Sequence, residues 1–481
     1  MDPLLNDFDK DGIPNYLDDD SDDDGILDGE EKGPDAAPAD TDSDGLPNFL
    51  DGDSDGDGLS DTKELEIGSD PTLVDTDGDT VDDNTEYVLG YDPTDPLSTI
   101  PADFFYLQLP YEDPAEVRNL EFSTDIRTAD IAIMVDLSNS MSGEHANLKA
   151  SINDIIITQV SAAISDAAFG LTKFGPIDMN QTLATDKAAN VYLPAQNITD
   201  DAGAVQTAVN AIAVTPGTYE YITEALYQTA SGAGTYQRIC HATNGCGAAQ
   251  GGYEIIVDID TTVCPAGRFG GACFRPGALP IIIMMTDEAF TTDFGNWLSI
   301  DKYGATIADD EPRSIAQVVE AMNDINAKFI GLDSSVGQVA MPFYDQLAAG
   351  TGSVDGLGVD FNQQINSDGT GMSDTIVDAV IELTQHIEID VSTLRKHIDN
   401  LYGIVDTTQF IESITPESFV DVQPGQKVTF EVTFRNMIYD NTSTEAHLFI
   451  AQIEVWGAGT KLDTRDCYII VPGKDPSNPE S

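Results

Sequence analysis

The chain has 481 residues and carries 21 Lys+Arg against 85 Asp+Glu, a formal charge of −64. That balance excludes nucleic acid as a partner, because phosphate binding needs clustered Lys and Arg. No apolar run approaches the roughly 20 residues that cross a bilayer, so no transmembrane segment is expected, and the length supports two or three domains.

The acidity is densest at the start, where residues 1–100 hold 33 acids and 3 bases. Five copies of one loop lie there, beginning at Asp7, Asp20, Asp40, Asp53 and Asp75. Positions 1, 3 and 5 are carboxylates in every copy: Asp7, Asp9 and Asp11, then Asp20, Asp22 and Asp24, then Asp40, Asp42 and Asp44. Asp53, Asp55 and Asp57 repeat the pattern, as do Asp75, Asp77 and Asp79. Gly12, Gly25, Gly45 and Gly58 take position 6, where the backbone must turn sharply, and Thr80 stands there in the last copy. Position 9 is Asn15, Asp28, Asn48, Asp61 or Asp83, and position 12 is Asp18, Glu31, Asp51, Glu64 or Glu86. This spacing wraps hard oxygen ligands around one Ca²⁺. A solvated acidic run, the plainer alternative, would not repeat Gly at 6 and an acid at 12. Two pairs of loops start too close together for an intervening helix (Asp7 to Asp20, Asp40 to Asp53), so these are not helix-loop-helix hands.

Strings such as Asp53-Ser54-Asp55-Gly56-Asp57-Gly58-Leu59-Ser60-Asp61 resemble the thrombospondin type 3 repeat family over about residues 5–98. The resemblance implies a chain wound around a row of Ca²⁺ ions with little apolar core, forming a quasi-linear array. The loop at Asp75 is expected to be the weakest, since Thr80 lacks the freedom of glycine at the turn. Residues 1–98 are therefore read as calcium-binding repeats.

Phe104–Leu109 and Leu120–Ile126 read as strands within a connecting segment, 99–127. From 128 the pattern changes. Ile131–Val135 is a continuous apolar run, as in a strand buried on both faces. A helix is predicted from about Asn147 to Ile164 on the stripe Leu148, Ile152, Ile155, Ile156, Val160 and Ile164. Phe169–Phe174 reads as a strand, 201–213 and 220–230 as helices, and Pro280–Met285 as another buried strand. Helix 314–327, strand Lys328–Leu332 and helix Asp374–His386 follow. Strands alternating with helices over 128–386 predict a doubly wound α/β sheet.

Cys240, Cys246, Cys264 and Cys273 cluster in a Gly-rich insertion, 231–279. They read as two disulfides of open connectivity; zinc is the rival, weakened by the absence of a Cys-x-x-Cys pair. Cys467 alternates with Ile469 and Val471 and reads as an inert buried thiol.

Ligands of such sheets bind outside the carboxyl ends of the strands. There Asp136-Leu137-Ser138-Asn139-Ser140 follows the first buried strand, and Asp287 follows Pro280–Met285. Two hydroxyls and a carboxylate offer a few hard oxygens, with Asp136 and Asp287 holding metal-bound waters. This suits an octahedral Mg²⁺ (or Mn²⁺) with an open position for a carboxylate from another molecule. The Asp-x-Ser-x-Ser of Asp136, Ser138 and Ser140 resembles the metal-ion-dependent adhesion site of von Willebrand factor A domains. The string Asp-Leu-Ser-Asn-Ser-Met is most similar to the A-type domain of integrin β subunits. The resemblance implies a third element within 215–220, with Glu220 at the integrin-β position and Thr218 as the alternative. An adjacent calcium site of integrin β subunits would use two acids; here those positions are Gly143 and Glu144, and Glu144 serves equally as a helix-start acid.

Beyond 386 the chain alternates as strands do, at Val428, Phe430, Val432 and Phe434, at 447–456 and at Cys467–Val471. Residues 387–473 are predicted to form a small β-sandwich joined by the strands of 99–127, so that the α/β unit is inserted into it; 474–481 is a tail. The whole reads as an extracellular or cell-surface adhesion protein, not an enzyme, with the calcium repeats as spacer and a protein or surface ligand presenting a carboxylate as partner. A structural surface component with a purely structural metal site is the alternative. A metal-dependent hydrolase fits poorly because no base is evident beside the site. Asp7 follows Met1 almost at once, leaving no visible signal peptide, so the N-terminus is expected to be incomplete.

Overall fold

Ile131, Ile133 and Val135 enter the core on one face of the Thr128–Asp136 strand, and Ala132 and Met134 on the other. The parallel neighbour Leu279–Thr286 does the same with Ile281, Ile283 and Met285 against Ile282 and Met284. The two are in register, Ile281 beside Ile131 and Ile283 beside Ile133. Burial on both faces is why neither strand alternates with polar residues. These strands lie at the centre of a computed structural model that describes residues 7–34, 37–101, 104–177, 191–215, 219–220, 222–241, 254–288, 297–300, 313–403 and 405–474.

The central sheet runs Gln363–Gln364, Lys328–Asp333, Leu279–Thr286, Thr128–Asp136, Asp166–Phe174, Leu193–Thr199. All neighbours are parallel except the last pair, which is antiparallel. Helices Ala202–Asn210 and Met372–His386, with the run from Ser142, bury their apolar faces against one side. Helices Ile222–Ser231, Ile315–Asn323 and Met341–Gly350 cover the other. The first run starts at Ser142, five residues before the expected position. Gly143 is tolerated there because its backbone presses on Asp368: a Cβ would come within 2.8 Å of the Asp368 carbonyl oxygen. The run passes through a π-helical turn, Ile152–Ile157, before ending at Ala163. A wider turn lets the consecutive Ile156 and Ile157 both be buried. The Leu193–Thr199 strand and the Met341–Gly350 helix were not anticipated.

Asp130, at the start of the central strand, is fully buried and ion-paired to Arg275 at 2.6 Å. Arg275 also reaches Asp166 at 2.6 Å, so one guanidinium ties the insertion to two strands. Within the insertion, Thr235–His241 and Glu254–Ile259 pair as an antiparallel ladder. Cys264 and Cys273 form a disulfide. Cys246 lies outside the described residues, and Cys240 is described by backbone alone, on the Thr235–His241 strand.

The β-rich remainder packs two sheets face to face. One runs Phe105–Gln108, Thr460–Val471, His447–Gly457, Ile389–His397, Ser418–Val422; the other runs Ile411–Thr415, Lys427–Phe434, Glu116–Ser123. Phe105 meets Phe434 at 5.5 Å and Phe419 meets Phe430 at 5.0 Å between ring centroids, across the two sheets. Strands from before the α/β sheet thus pair with strands from after it: Phe105–Gln108 parallel to Thr460–Val471, and Glu116–Ser123 antiparallel to Lys427–Phe434. Cys467 is buried in this core, which pushes its thiol up to about 12. Among the described residues no helix is long and apolar enough to cross a membrane.

Candidate metal centres

The acidic loops share one wiring scheme. The N–H at position 7 donates to the position-5 carboxylate in all five, as Ile26 does to Asp24 at 2.7 Å and Leu59 to Asp57 at 2.7 Å. Position 6 lies at positive φ throughout, from 88° to 103°, including the non-glycine Thr80 at 88°. The position-9 oxygen accepts the N–H of position 2 in every copy: Asn15 from Phe8, Asp28 from Ser21, Asn48 from Thr41, Asp61 from Ser54, Asp83 from Thr76. Position 9 therefore braces the loop. Asp28 and Asp83 commit both oxygens to this task, the second accepting from Ser21 Oγ at 2.8 Å and Thr76 Oγ1 at 2.6 Å.

The loops differ in depth. Asp40, Asp42 and Asp44 are exposed, and the Asp7 loop is nearly so. In the loops at Asp20, Asp53 and Asp75, buried carboxylate oxygens converge without a hydrogen-bond partner: Asp20, Asp22, Asp24 and Glu31; Asp53, Asp55 and Glu64; Asp77 and Glu86. These three loops carry Glu at position 12, one methylene longer than the Asp of the shallow pair. Burial first, and mutual repulsion second, pushes Glu64 up to about 10, Glu31 to about 9 and Asp22, Asp53, Asp55 and Glu86 to about 8. A cluster of this kind is stable only when protons or a hard divalent cation offset the charge, and acidic groups of this geometry recur along the segment.

The array does not stand apart. Gln108 Nε2 donates to Asp82 Oδ1 at 3.1 Å and Thr85 Oγ1 at 3.2 Å, docking the Asp83–Leu89 helix on the first sandwich strand. Asn84 N donates to Asp57 Oδ2 at 2.9 Å, holding the fifth loop on the fourth.

A second cluster lies at the carboxyl ends of the central strands. Asp136 is fully buried; its Oδ1 accepts from Ser138 N at 2.7 Å and its Oδ2 from Thr286 Oγ1 at 2.7 Å. Ser138 Oγ and Ser140 Oγ lie 2.9 Å apart, and Ser140 Oγ donates to Asp287 Oδ1 at 3.0 Å. Burial raises the Asp287 carboxyl, partly offset by Ser140 and reinforced by Asp136. Asp136, Ser138, Ser140 and Asp287 are thus brought together. Glu220 is described by backbone alone, on a two-residue strand pairing with Pro176, and Thr218 lies outside the described residues. Glu144 is buried nearby with Oε2 unpartnered, and burial raises its carboxyl.

Three supporting residues escaped the sequence reading. Thr286 holds Asp136 from the adjacent strand, His145 Nε2 lies 2.6 Å from the Asp136 carbonyl, and Asp333 ends the next strand. Asp333 accepts from Ser335, Ala340 and Met341 N–H groups. Its signal was available: it follows a buried strand as Asp136 and Asp287 do.

A family model described as a bacterial TSP3 repeat matches residues 53–73, the fourth loop, its helix Asp61–Ile67 and the six residues that follow. No curated protein matches the chain. Among solved structures it is similar to the pilus adhesin SpaC from Lactobacillus rhamnosus GG, with 12% identity over 74% of this chain and 46% of that one, at a TM-score of 0.30. The open conformation of SpaC gives 12% identity, 74% and 45% coverage, and a TM-score of 0.31. Proximal thread matrix protein 1 from the mussel byssus gives 13% identity over 57% of this chain and 50% of that one, at 0.30. The chain thus spans no more than half the length of these proteins.

Proposed function

We propose that the chain is a calcium-binding extracellular or cell-surface adhesion protein, not an enzyme, whose α/β unit is a von Willebrand factor A-type domain. In this reading Ser138 and Ser140 hold a Mg²⁺ (or Mn²⁺) directly, Asp136 and Asp287 hold its waters, and Glu220 or Thr218 completes the set. The bound cation would supply an electrophilic position for a carboxylate on a protein or surface partner. The observation that carries the proposal is the cluster of Ser138 Oγ, Ser140 Oγ and Asp287 Oδ1, linked at 2.9 and 3.0 Å outside the carboxyl ends of parallel strands. Short hard-oxygen side chains on tight loops fit a small octahedral cation better than a thiophilic one.

The five loops would bind Ca²⁺ and the last of them seats the array against the sandwich, so the repeats act as a fixed stalk at that end. Hydrolysis is disfavoured because, among the described residues, the histidine beside the site is His145, whose Nε2 is engaged with the Asp136 carbonyl.

The test is Mn²⁺ binding by the full chain, followed by electron paramagnetic resonance in saturating Ca²⁺. The parent should bind Mn²⁺ in competition with Mg²⁺, and Ser138→Ala and Asp287→Ala should lose that site with an unchanged circular dichroism spectrum. Variants that bind as the parent does would sink the adhesion-site reading.

A further inference from the structure

We propose that Asp61 of the fourth loop is a ligand of the cation held by the second loop, so that one Ca²⁺ bridges two loops that are not neighbours in sequence. The inference rests on the calcium reading of the loops and adds a residue from outside the twelve-position pattern. Asp24, Glu31 and Asp61 each offer an oxygen, and these oxygens lie within 4.8 Å of one another. All three side chains are buried, with 6%, 8% and 0% of the residue exposed.

Asp61 differs from the other position-9 acids. Asp28 and Asp83 spend both oxygens on their own loops. Asp61 spends Oδ1 on Ser54 N at 2.8 Å, and its fully buried Oδ2 has no hydrogen-bond partner. Across the contact its neighbours are Asp24 and Glu31, each of which carries a buried oxygen without a hydrogen-bond partner. Three carboxylates this close repel unless they share a cation or protons.

The contact is held from outside the cluster. Thr62 Oγ1 donates to the Asp24 carbonyl at 2.8 Å, pinning the first turn of the Asp61–Ile67 helix to the second loop. The same joint recurs between the fourth and fifth loops, where Asn84 Nδ2, also at position 10, donates to the Asp57 carbonyl at 3.2 Å. There, however, the incoming backbone N–H of Asn84 satisfies Asp57 Oδ2. Only at the second loop, among the described residues, does the joint deliver a carboxylate oxygen without a donor of its own. Glu64, one turn further on, lies among Asp55 and Asp57 of its own loop. One helical turn thus serves two cations, and an added carboxylate strengthens the second site.

The test uses the full chain with Asp61→Asn, Glu31→Gln and Glu64→Gln, alone and in pairs with Asp61→Asn, measured by calcium titration calorimetry and amide hydrogen exchange. Asn keeps an oxygen for Ser54 N and removes the charge. Asp61→Asn should weaken one calcium site about 10–100-fold and expose amides of 20–31 at calcium concentrations that protect the parent. Its effect should be strongly non-additive with Glu31→Gln and nearer additive with Glu64→Gln. Loss of protection confined to 53–64, or equal coupling to both glutamates, overturns the proposal. A parent chain that takes up no calcium would instead defeat the calcium reading itself.

Discussion

Ser140 Oγ and Asp287 Oδ1 meet at 3.0 Å although the residues are 147 positions apart. The register that sets Met285 beside Val135 brings their two loops to one edge. Thr286, next along, closes the same edge by donating to Asp136 Oδ2. The cluster is therefore a product of the ladder between two buried strands.

Thr286→Val keeps the shape of the side chain but strips a donor from a buried carboxylate. The expected cost is about 1–3 kcal/mol, read as a lower denaturation midpoint in urea. An unchanged midpoint would show that the Asp136 oxygen finds another donor.

Thr80 holds a backbone φ of 88°, a conformation costly for a β-branched residue, yet its N–H still donates to Asp75 Oδ2 at 2.9 Å. Thr80→Gly should relieve about 1 kcal/mol of strain and lower the calcium concentration needed to protect 75–86 from proteolysis. The reverse change in the fourth loop, Gly58→Thr, should raise the requirement there, since a Cβ at Gly58 meets Asn84 Nδ2 at 2.8 Å. Equal calcium midpoints for parent and Thr80→Gly would remove the strain argument.

Calcium and pH should act together on residues 7–98. The deep carboxyls have folded pKa values near 8 to 10, above their unfolded values. Groups shifted upward favour the folded, calcium-free array when protonated, and that contribution is lost as pH rises through the folded values. With calcium chelated, protease resistance of this segment should therefore fall between about pH 5 and pH 9. With calcium saturating, the trend should vanish, and binding near pH 7 should release protons. Calorimetry in two buffers of different ionisation enthalpy measures that release; a release of zero would contradict the raised values.

Much of this was legible because it depends on spacing along one segment. The twelve-position loops, the buried runs at Ile131–Val135 and Pro280–Met285, and the serines after Asp136 all declare themselves locally. What stayed hidden depends on contacts between segments. Nothing in the local pattern tells Asp61, which leaves one oxygen over, from Asp28, which spends both on its own loop. The early helix start at Ser142 depends on Gly143, whose missing side chain lets the chain pass Asp368, a contact no local pattern announces. The Leu193–Thr199 strand carries Pro194 and Asn197 at the antiparallel edge of its sheet, where no continuous apolar run is required.

Asp130 and Arg275 supply the last test, one that concerns the frame and not the metals. Asp130 is wholly buried, and its pKa is raised by that burial despite Arg275, whose N and Nε both donate to its carboxylate. Arg275→Met would leave the charge enclosed with one backbone donor, at a cost of about 3 kcal/mol, the lower end for a broken buried pair because the guanidinium keeps some contact with solvent. Adding Asp130→Leu should recover most of that loss, since an apolar pair avoids the desolvation that the ion pair incurs. Thermal unfolding in saturating calcium measures both. If the single variant is as stable as the parent, Arg275 is not what holds the insertion to the base of the sheet, and the Cys264–Cys273 loop must be anchored by its other contacts, such as Tyr192 Oη donating to the Gly271 carbonyl at 2.9 Å and Ile198 N to the Ala272 carbonyl at 3.0 Å.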